Sequence, residues 1–444
     1  MSGAHLSNSR TEVMRIEQPV GFVVKNDEHA LQIKDELAEW LVTNESVPLT
    51  FDDEPGRTYY AVIEGTIDDF DRFVNQRRGV ITFLLPDPYG YGKEKIIEFS
   101  EDSAIIENKG TATAKPIIEL TAKEKSTFAM VTLGDEQYNL LGEPADDDVQ
   151  IVDSRTSVLY ENGSTIGDWQ VATSQMIDDG IFEISGTMGA DAAGIRPSGY
   201  GTGSALHGPA VFKEINPIQD FEIESTFDIN STREIDSWRM GINFLDENLN
   251  MLGHCGVKDN NRSFKQRTPL ARYGPYRGGG VSNGNLIGDD DTLRNVRDLT
   301  LFYIRTRRIG NTFSFYIAYY RGTRHVETWS ASFRDVDNNY AGKLKYITLY
   351  IANFADRPLP SRLRINSVEV FELATVEEDQ TPYIIYPGDV VTFDHVNDDV
   401  LLNGELSKDN FFGDFFELEK GVNTLTVSPS NTFDAQIKFR ERFR

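Results

Sequence analysis

The sequence has 444 residues, with 70 Asp and Glu against 44 Lys and Arg and a formal net charge of -26. That balance disfavours nonspecific nucleic-acid binding, which needs basic patches for phosphate. The length exceeds one ordinary core and points to roughly two to four domains. The single cysteine, Cys255, excludes an intramolecular disulfide framework and fits folding in a reducing compartment. No stretch approaches the roughly 20 apolar residues of a membrane-spanning helix, and the first residues lack a signal-peptide core. Neither membrane insertion nor export by the usual route is expected.

In chain order, Asn26 is the expected N-cap of one amphipathic helix, with Ala30, Ile33, Leu37 and Leu41 at helical spacing and Asp27 and Glu28 in the first turn. Strands are expected at Pro48 to Phe51, Thr58 to Ile63 and Val80 to Leu85, with a turn at Asp53-Glu54-Pro55-Gly56. Residues 100 to 145 read as short strands at Ile105-Ile106, Pro116 to Ile118 and Phe128 to Leu133, divided by turns.

From about 149 to 375 the pattern is all-β. Phe221, Ile223, Phe227 and Ile229 alternate with polar neighbours, Gly310-Asn311 separates Leu299 to Thr306 from Phe313 to Tyr319, and Leu344 to Ile351 and Leu363 to Phe371 follow. Short strands with turn signals at these intervals predict a β-sandwich. Charge marks the same stretch: residues 151 to 372 hold 24 Lys and Arg against 27 Asp and Glu, or -3, leaving -23 for the flanks. The acid runs Asp146-Asp147-Asp148 and Glu377-Glu378-Asp379 are the expected solvated junctions. Beyond them come a strand at Ile384 to Phe393, a tight hairpin turn at Asn403-Gly404, and a closing strand at Ala435 to Phe443 with apolar and polar residues alternating.

The closing elements, with Phe415-Phe416 and Gly421-Val422-Asn423, resemble the C-terminal module of siphophage distal tail proteins. The segment from Asp52 to Ala61, followed by Pro86-Asp87-Pro88-Tyr89-Gly90-Tyr91-Gly92, is similar to the N-terminal belt of that family. The resemblance implies a mainly β protein. An α+β belt covers 1 to 100; a galectin-like sandwich module, 101 to 148 plus 376 to 444, is interrupted by a lectin or jelly-roll-like sandwich at 149 to 375. Gly199 to Pro209 resembles the carbohydrate-binding-module-like inserts of enlarged members. The family carries further strands before the equivalent of Gly3-Ala4-His5-Leu6, so an upstream start or a shortened belt is expected. Implied partners are five further copies in a homohexameric ring, the tail tube protein, the tail-associated hub or lysin protein, receptor-binding proteins, and host cell-wall polysaccharide or teichoic acid. The implied location is the virion tail tip, after assembly in the bacterial host cytoplasm.

Sugar rings stack on flat aromatics while polar neighbours bond their hydroxyls. Tyr273, Tyr276 and Arg272, in a loop with three consecutive glycines, together with Trp238 and Trp329, form the expected saccharide-binding set. The competing reading packs Trp169, Trp238 and Trp329 in the core. Arg305, Arg307, Arg308, Arg321 and Arg324 surround a hairpin and suit either an anionic wall polymer or a charge-protected sheet edge. Asp289-Asp290-Asp291 and Asp335, Asp337 and Asn339 lack a complete calcium-loop pattern and read as turn acids. The six histidines show no metal spacing, no catalytic acid pair stands out, and no cofactor is expected. The rival to an assembly protein is a free carbohydrate-binding protein or glycoside hydrolase.

Overall fold

The computed structural model describes residues 13–21, 23, 25–41, 43, 45–64, 78–146, 148–177, 182–231, 233–261, 263–288, 299–355 and 357–444. The Gly3 to Leu6 segment and Asp289 to Asp291 lie outside them. The chain forms two compact units: Met1–Glu143 with Ile385–Leu402 and Ser407–Arg444, and Pro144–Ile384 with Asn403–Leu406. Both are built mostly from antiparallel strands.

In the first unit a helix, Asp27–Leu41, accompanies a four-stranded sheet. The Asn26 carboxamide caps the helix, accepting the His29 N–H at 2.8 Å. Leu37 and Leu41 turn inward onto Val20, Ile63, Ile81 and Phe83, as the helical spacing requires. The sheet order is Met14–Gly21, Arg78–Leu85, Tyr59–Glu64, Val47–Leu49, so the first and last are its edges.

The rest of this unit is a sandwich. One sheet runs Asp399–Leu402, Val390–Asp394, Ile117–Ala122, Phe433–Phe443, Gly90–Glu98; the other runs Phe411–Gly413, Gln137–Gly142, Phe128–Leu133, Gly421–Ser428, Ser103–Asn108. The Phe393 and Phe411 rings, one from each sheet, lie 6.4 Å apart. The strand expected from Ile384 begins instead at Val390. Tyr386-Pro387-Gly388-Asp389 closes on itself, with Tyr386 N–H donating to the Asp389 carboxylate at 2.8 Å and Asp389 N–H to the Tyr386 carbonyl at 2.9 Å. Local side-chain acceptance outcompetes the ladder there.

The second unit packs an eight-stranded sheet against a nine-stranded one. Phe221, Ile223, Phe227 and Ile229 on one sheet meet Met240, Ile242, Leu349 and Ile351 on the other in a single core. Asn403 and Gly404 both adopt positive φ, at 53° and 86°, the tight-hairpin conformation their residue types predict.

The outer face of the eight-stranded sheet holds a closed ionic network. Glu222, 1% exposed, takes Arg155 at 2.8 Å and Arg307, while Arg305 grips Glu405 through two bonds of 2.5 and 2.9 Å. Arg308 is buried against the carbonyls of Gln219, Tyr340 and Gly342, and burial pushes its guanidinium down to about 10. Three arginines of the basic hairpin are therefore bound internally, on a strand, Leu301–Ile309, flanked by Phe221–Asn230 and Thr312–Arg321, and not along a charge-protected sheet edge.

His325 sits in this network among Tyr303, Tyr316 and Tyr320, its Nδ1 2.9 Å from the Tyr316 hydroxyl. Burial, reinforced by Arg305, lowers it to about 4. The unfolded chain, with an ordinary imidazole near 6.5, then binds more protons than the folded one between those values. Stability is full above about pH 6.5 and falls as pH drops towards 4. Urea unfolding should show a loss of about 1–2 kcal/mol between pH 7 and 5 from this group. His325→Gln should flatten that slope; an unchanged slope would remove His325 as its source.

Candidate functional site

The outer face of the nine-stranded sheet is built differently. Along Trp238–Asp246, Met240, Ile242 and Phe244 enter the core, so Arg239, Gly241 and Asn243 face out. On the neighbouring Met251–Asp259 strand, Cys255 and Val257 are core, and His254, Gly256 and Lys258 face out. Register sets Arg239 opposite Lys258, Gly241 opposite Gly256, and Asn243 opposite His254. The next strand, Thr268–Tyr273, places Leu270 beside Gly256 and Arg272 beside His254.

Gly241 permits a contact that any side chain would block. His254 Nε2 reaches the Tyr350 hydroxyl at 3.0 Å, although the strand carrying Gly241 runs between theirs. A Cβ at Gly241 would lie 2.7 Å from both His254 Nε2 and the Cys255 carbonyl oxygen. Glycine is required here by close approach, not by an unusual backbone angle.

Part of this face is covered: Met176, Ile177, Phe182 and Ile184 pack over Ala210, Tyr350 and Ala352 in a second apolar cluster. Beside that cover lies a cleft of about 170 Å³. Its walls include Arg239, His254, Lys258, Arg272 and Tyr276, and its rim is Gly279-Gly280-Val281. The rim is tied down by Asn283, donating to the Gly279 carbonyl at 2.8 Å, and by Asn285, donating to Gly278 at 2.8 Å and Gly280 at 3.0 Å. A glycine-rich segment so bonded presents backbone groups at a fixed edge. Tyr276 is 40% exposed, and the Arg272 guanidinium lies 5.3 Å from its ring centre. Arg272 itself is buried and donates from Nε to the Gly274 carbonyl at 3.3 Å.

Of the five residues expected from sequence, Arg272 and Tyr276 meet in this cleft. Tyr273 turns away, stacked on Phe333 at 3.5 Å with Tyr340 edge-on at 5.7 Å. Trp238 is 1% exposed in the core and has no face to offer a sugar. Trp329 lies on the other sheet, packed edge-on to Tyr319 at 6.0 Å. Sequence reasoning passed over Arg239, His254 and Lys258, whose signal is the run of outward polar residues interleaved with Gly241 and Gly256. Asp335, 2% exposed, accepts the N–H groups of Asn339 and Tyr340 at 3.0 and 2.7 Å and is a turn acid. Cys255 is buried against the Thr306 hydroxyl, and burial raises its thiol to about 12, so it offers no nucleophile. Among the described residues no cluster of His, Cys, Asp or Glu could hold a metal ion, and no helix is long and apolar enough to cross a membrane.

Comparison with known proteins places two family matches at the ends of the chain. Residues 1–85 match the phage tail protein RIFT-related domain. Residues 357–443 match the siphovirus-type tail component, C-terminal domain. The distal tail protein of Bacillus phage SPP1 is 32% identical over 81 residues, which is 18% of this chain and 32% of that protein. The chain thus spans about a third of the length of that curated relative. Among solved structures, the CBM2 module of the evolved Dit of Lactobacillus casei BL23 phage J-1 is 13% identical, covering 51% of this chain and all of that module, with a TM-score of 0.41. The Dit protein of phage SPP1 is 23% identical, covering 30% of this chain and 55% of that one, with a TM-score of 0.26.

The close approach at Gly241 is open to direct test. Gly241→Ala should destabilise the protein by about 1–3 kcal/mol through overpacking and separate His254 from Tyr350. Urea unfolding and the imidazole nitrogen shifts of His254 read the two effects. Wild-type stability with unmoved His254 resonances would contradict the close-approach role.

Proposed function

We propose that this chain, which belongs to the siphovirus tail-component family of distal tail proteins, is the ring-forming hub of a phage tail tip and carries a saccharide-binding insertion. The observation that carries the reading is the order along the chain: family matches at 1–85 and 357–443 lie on either side of residues 144–356, which form most of a separate β unit. In this reading residues 1 to 100 form the ring belt and 101 to 148 with 376 to 444 its sandwich module, while 149 to 375 serve as the adhesion accessory. The four-stranded sheet supports ring closure. Among the described residues its two edges, Met14–Gly21 and Val47–Leu49, bound opposite sides, as a head-to-tail interface between copies requires. Six copies would close the ring, with the tail tube protein on one side and the tail-associated hub or lysin protein on the other, and receptor-binding proteins attached at the tip. Made in the bacterial host cytoplasm, the protein would end in the virion.

The cleft supports the adhesive role. An exposed Tyr276 beside Arg272 offers the flat ring and adjacent donors that hold a sugar. Its described walls present Arg, Lys, His and Tyr where glycoside hydrolysis uses two carboxylates, which favours retention of a saccharide over its cleavage.

Two measurements test these roles separately. Mass in solution should be six times that of the chain, and a concentration-independent monomer would contradict the ring. Binding of the full chain to isolated host cell walls should fall about tenfold, or about 1.4 kcal/mol, in Tyr276→Ala. Equal binding would move the saccharide site out of this cleft.

A further inference from the structure

We propose that Trp40, on the acidic helix Asp27–Leu41, docks into a cavity on the other side of the four-stranded sheet in a second copy of this chain, and that this contact joins neighbours in the ring. This rests on the reading of the frame as ring-forming and adds the side chains that make the joint.

The first ground is the placement of Trp40. Of the four tryptophans in the chain, Trp169 and Trp238 are buried in the core of the second unit and Trp329 packs against it, whereas Trp40 is 72% exposed. Leu37 and Leu41 already hold the helix to its sheet, so the indole is not needed for packing within the unit. A large flat ring left in water is the residue type most enriched among interface anchors.

The second ground is charge. The helix carries Asp27, Glu28, Asp35, Glu36 and Glu39 against Lys34 alone, and no base lies in its last turn. Glu39 therefore adds negative charge where the helix carbonyls already concentrate it, and Glu36 lies one turn back, beside Trp40; cations from outside offset both. A cavity of about 590 Å³, lined wholly by residues of the first unit, has the opposite sign: Lys115, Lys438, Arg440 and Arg442 against Asp87 and Glu94. Lys438 is held by Glu119 at 2.6 Å and Arg442 by Asp87 at 3.5 Å. Arg440 donates to the neutral Tyr60 hydroxyl at 3.1 Å, and Lys115 meets exposed Asp398 only at 3.6 Å, a loose pair that an incoming acid can replace at little cost.

The third ground is topology. Ile63, Ile81 and Phe83 face the helix. Strand alternation turns Tyr60 to the opposite face, where its ring meets Tyr91 edge-on at 5.5 Å and both line the cavity. Pro86 and Val396, the latter 53% exposed, extend this apolar lining for an indole. Helix and cavity thus lie on opposite faces of one sheet, so Trp40 does not fill the cavity of its own chain. A knob on one side of a unit and its hole on the other make a heterologous contact, which repeats from copy to copy and closes when the rotation allows.

The test uses the full chain. With Trp40→p-benzoylphenylalanine, irradiation of an equal mixture of isotope-labelled and unlabelled protein should join labelled to unlabelled chains, at peptides holding Tyr60, Tyr91 or Val396. Trp40→Ala should raise the concentration at which half the protein reaches six times the chain mass by about tenfold or more, and Trp40→Phe by much less. Both should leave circular dichroism unchanged, because the ring is exposed. Assembly of the unsubstituted chain should weaken between about 50 and 300 mM NaCl, as a joint between acids and bases requires. A six-fold assembly indifferent to Trp40→Ala, or cross-links confined to one chain or to surfaces outside the cavity, overturns this contact and leaves the ring reading standing. A concentration-independent monomer overturns the ring reading, and this proposal with it.

Discussion

The strand Phe433–Phe443 holds the first unit together. It pairs with Gly90–Glu98 along one edge and with Ile117–Ala122 along the other, so the end of the chain lies in the middle of a sheet begun more than 300 residues earlier. Ala435, Ile437 and Phe439 fill the sandwich from that position. Buried polar groups fix the register from both sides of the interruption. Asn108 donates to the Leu418 carbonyl at 3.1 Å, Asn139 to the Asp414 carbonyl at 3.0 Å, and Lys95 meets Glu441 at 2.5 Å. Breaking any of these would strand a buried partner, which costs more than the bond contributes when made. The frame therefore depends on both ends of the sequence, and a long excursion between them is compatible with one core.

That excursion uses a different physical economy. Its sheets share an apolar interior, while their two outer faces diverge in chemistry. One is sealed by ion pairs around Glu222. The other keeps a cleft with Arg, Lys, His and Tyr in its walls and Gly279-Gly280 in its lining. The near-neutral composition of residues 151 to 372 does not display this division, because strand alternation sends neighbouring residues to opposite faces.

Much of the fold was legible because periodicity and burial agree. The alternation at Phe221 to Ile229 gives a strand, the Ala30 to Leu41 spacing gives a capped helix, and Asn403-Gly404 gives a positive-φ turn. The Trp238–Asp246 and Met251–Asp259 strands were not legible. Gly241 and Gly256 leave gaps in their outward pattern and Gly253 one in the inward pattern, and buried polar Asn243 and His254 disguise which face is covered. For the same reason the site was only partly readable. Aromatic composition led to Tyr276, with Arg272 beside it, but also to Trp238, Tyr273 and Trp329, whose rings serve packing. The cations Arg239 and Lys258 become a pair only through cross-strand register, which no local window contains.

The division into a frame closed by both chain ends and a separately packed excursion is most directly tested by native-state hydrogen exchange on the full chain. Amides of Phe433–Phe443 should share one opening free energy and one denaturant dependence with those of Gly90–Glu98 and Ile117–Ala122, distinct from the set on Trp238–Asp246 and Met251–Asp259. Exchange of the closing strand in step with the Trp238–Asp246 group, or independently of its two sheet partners, would contradict the interrupted frame.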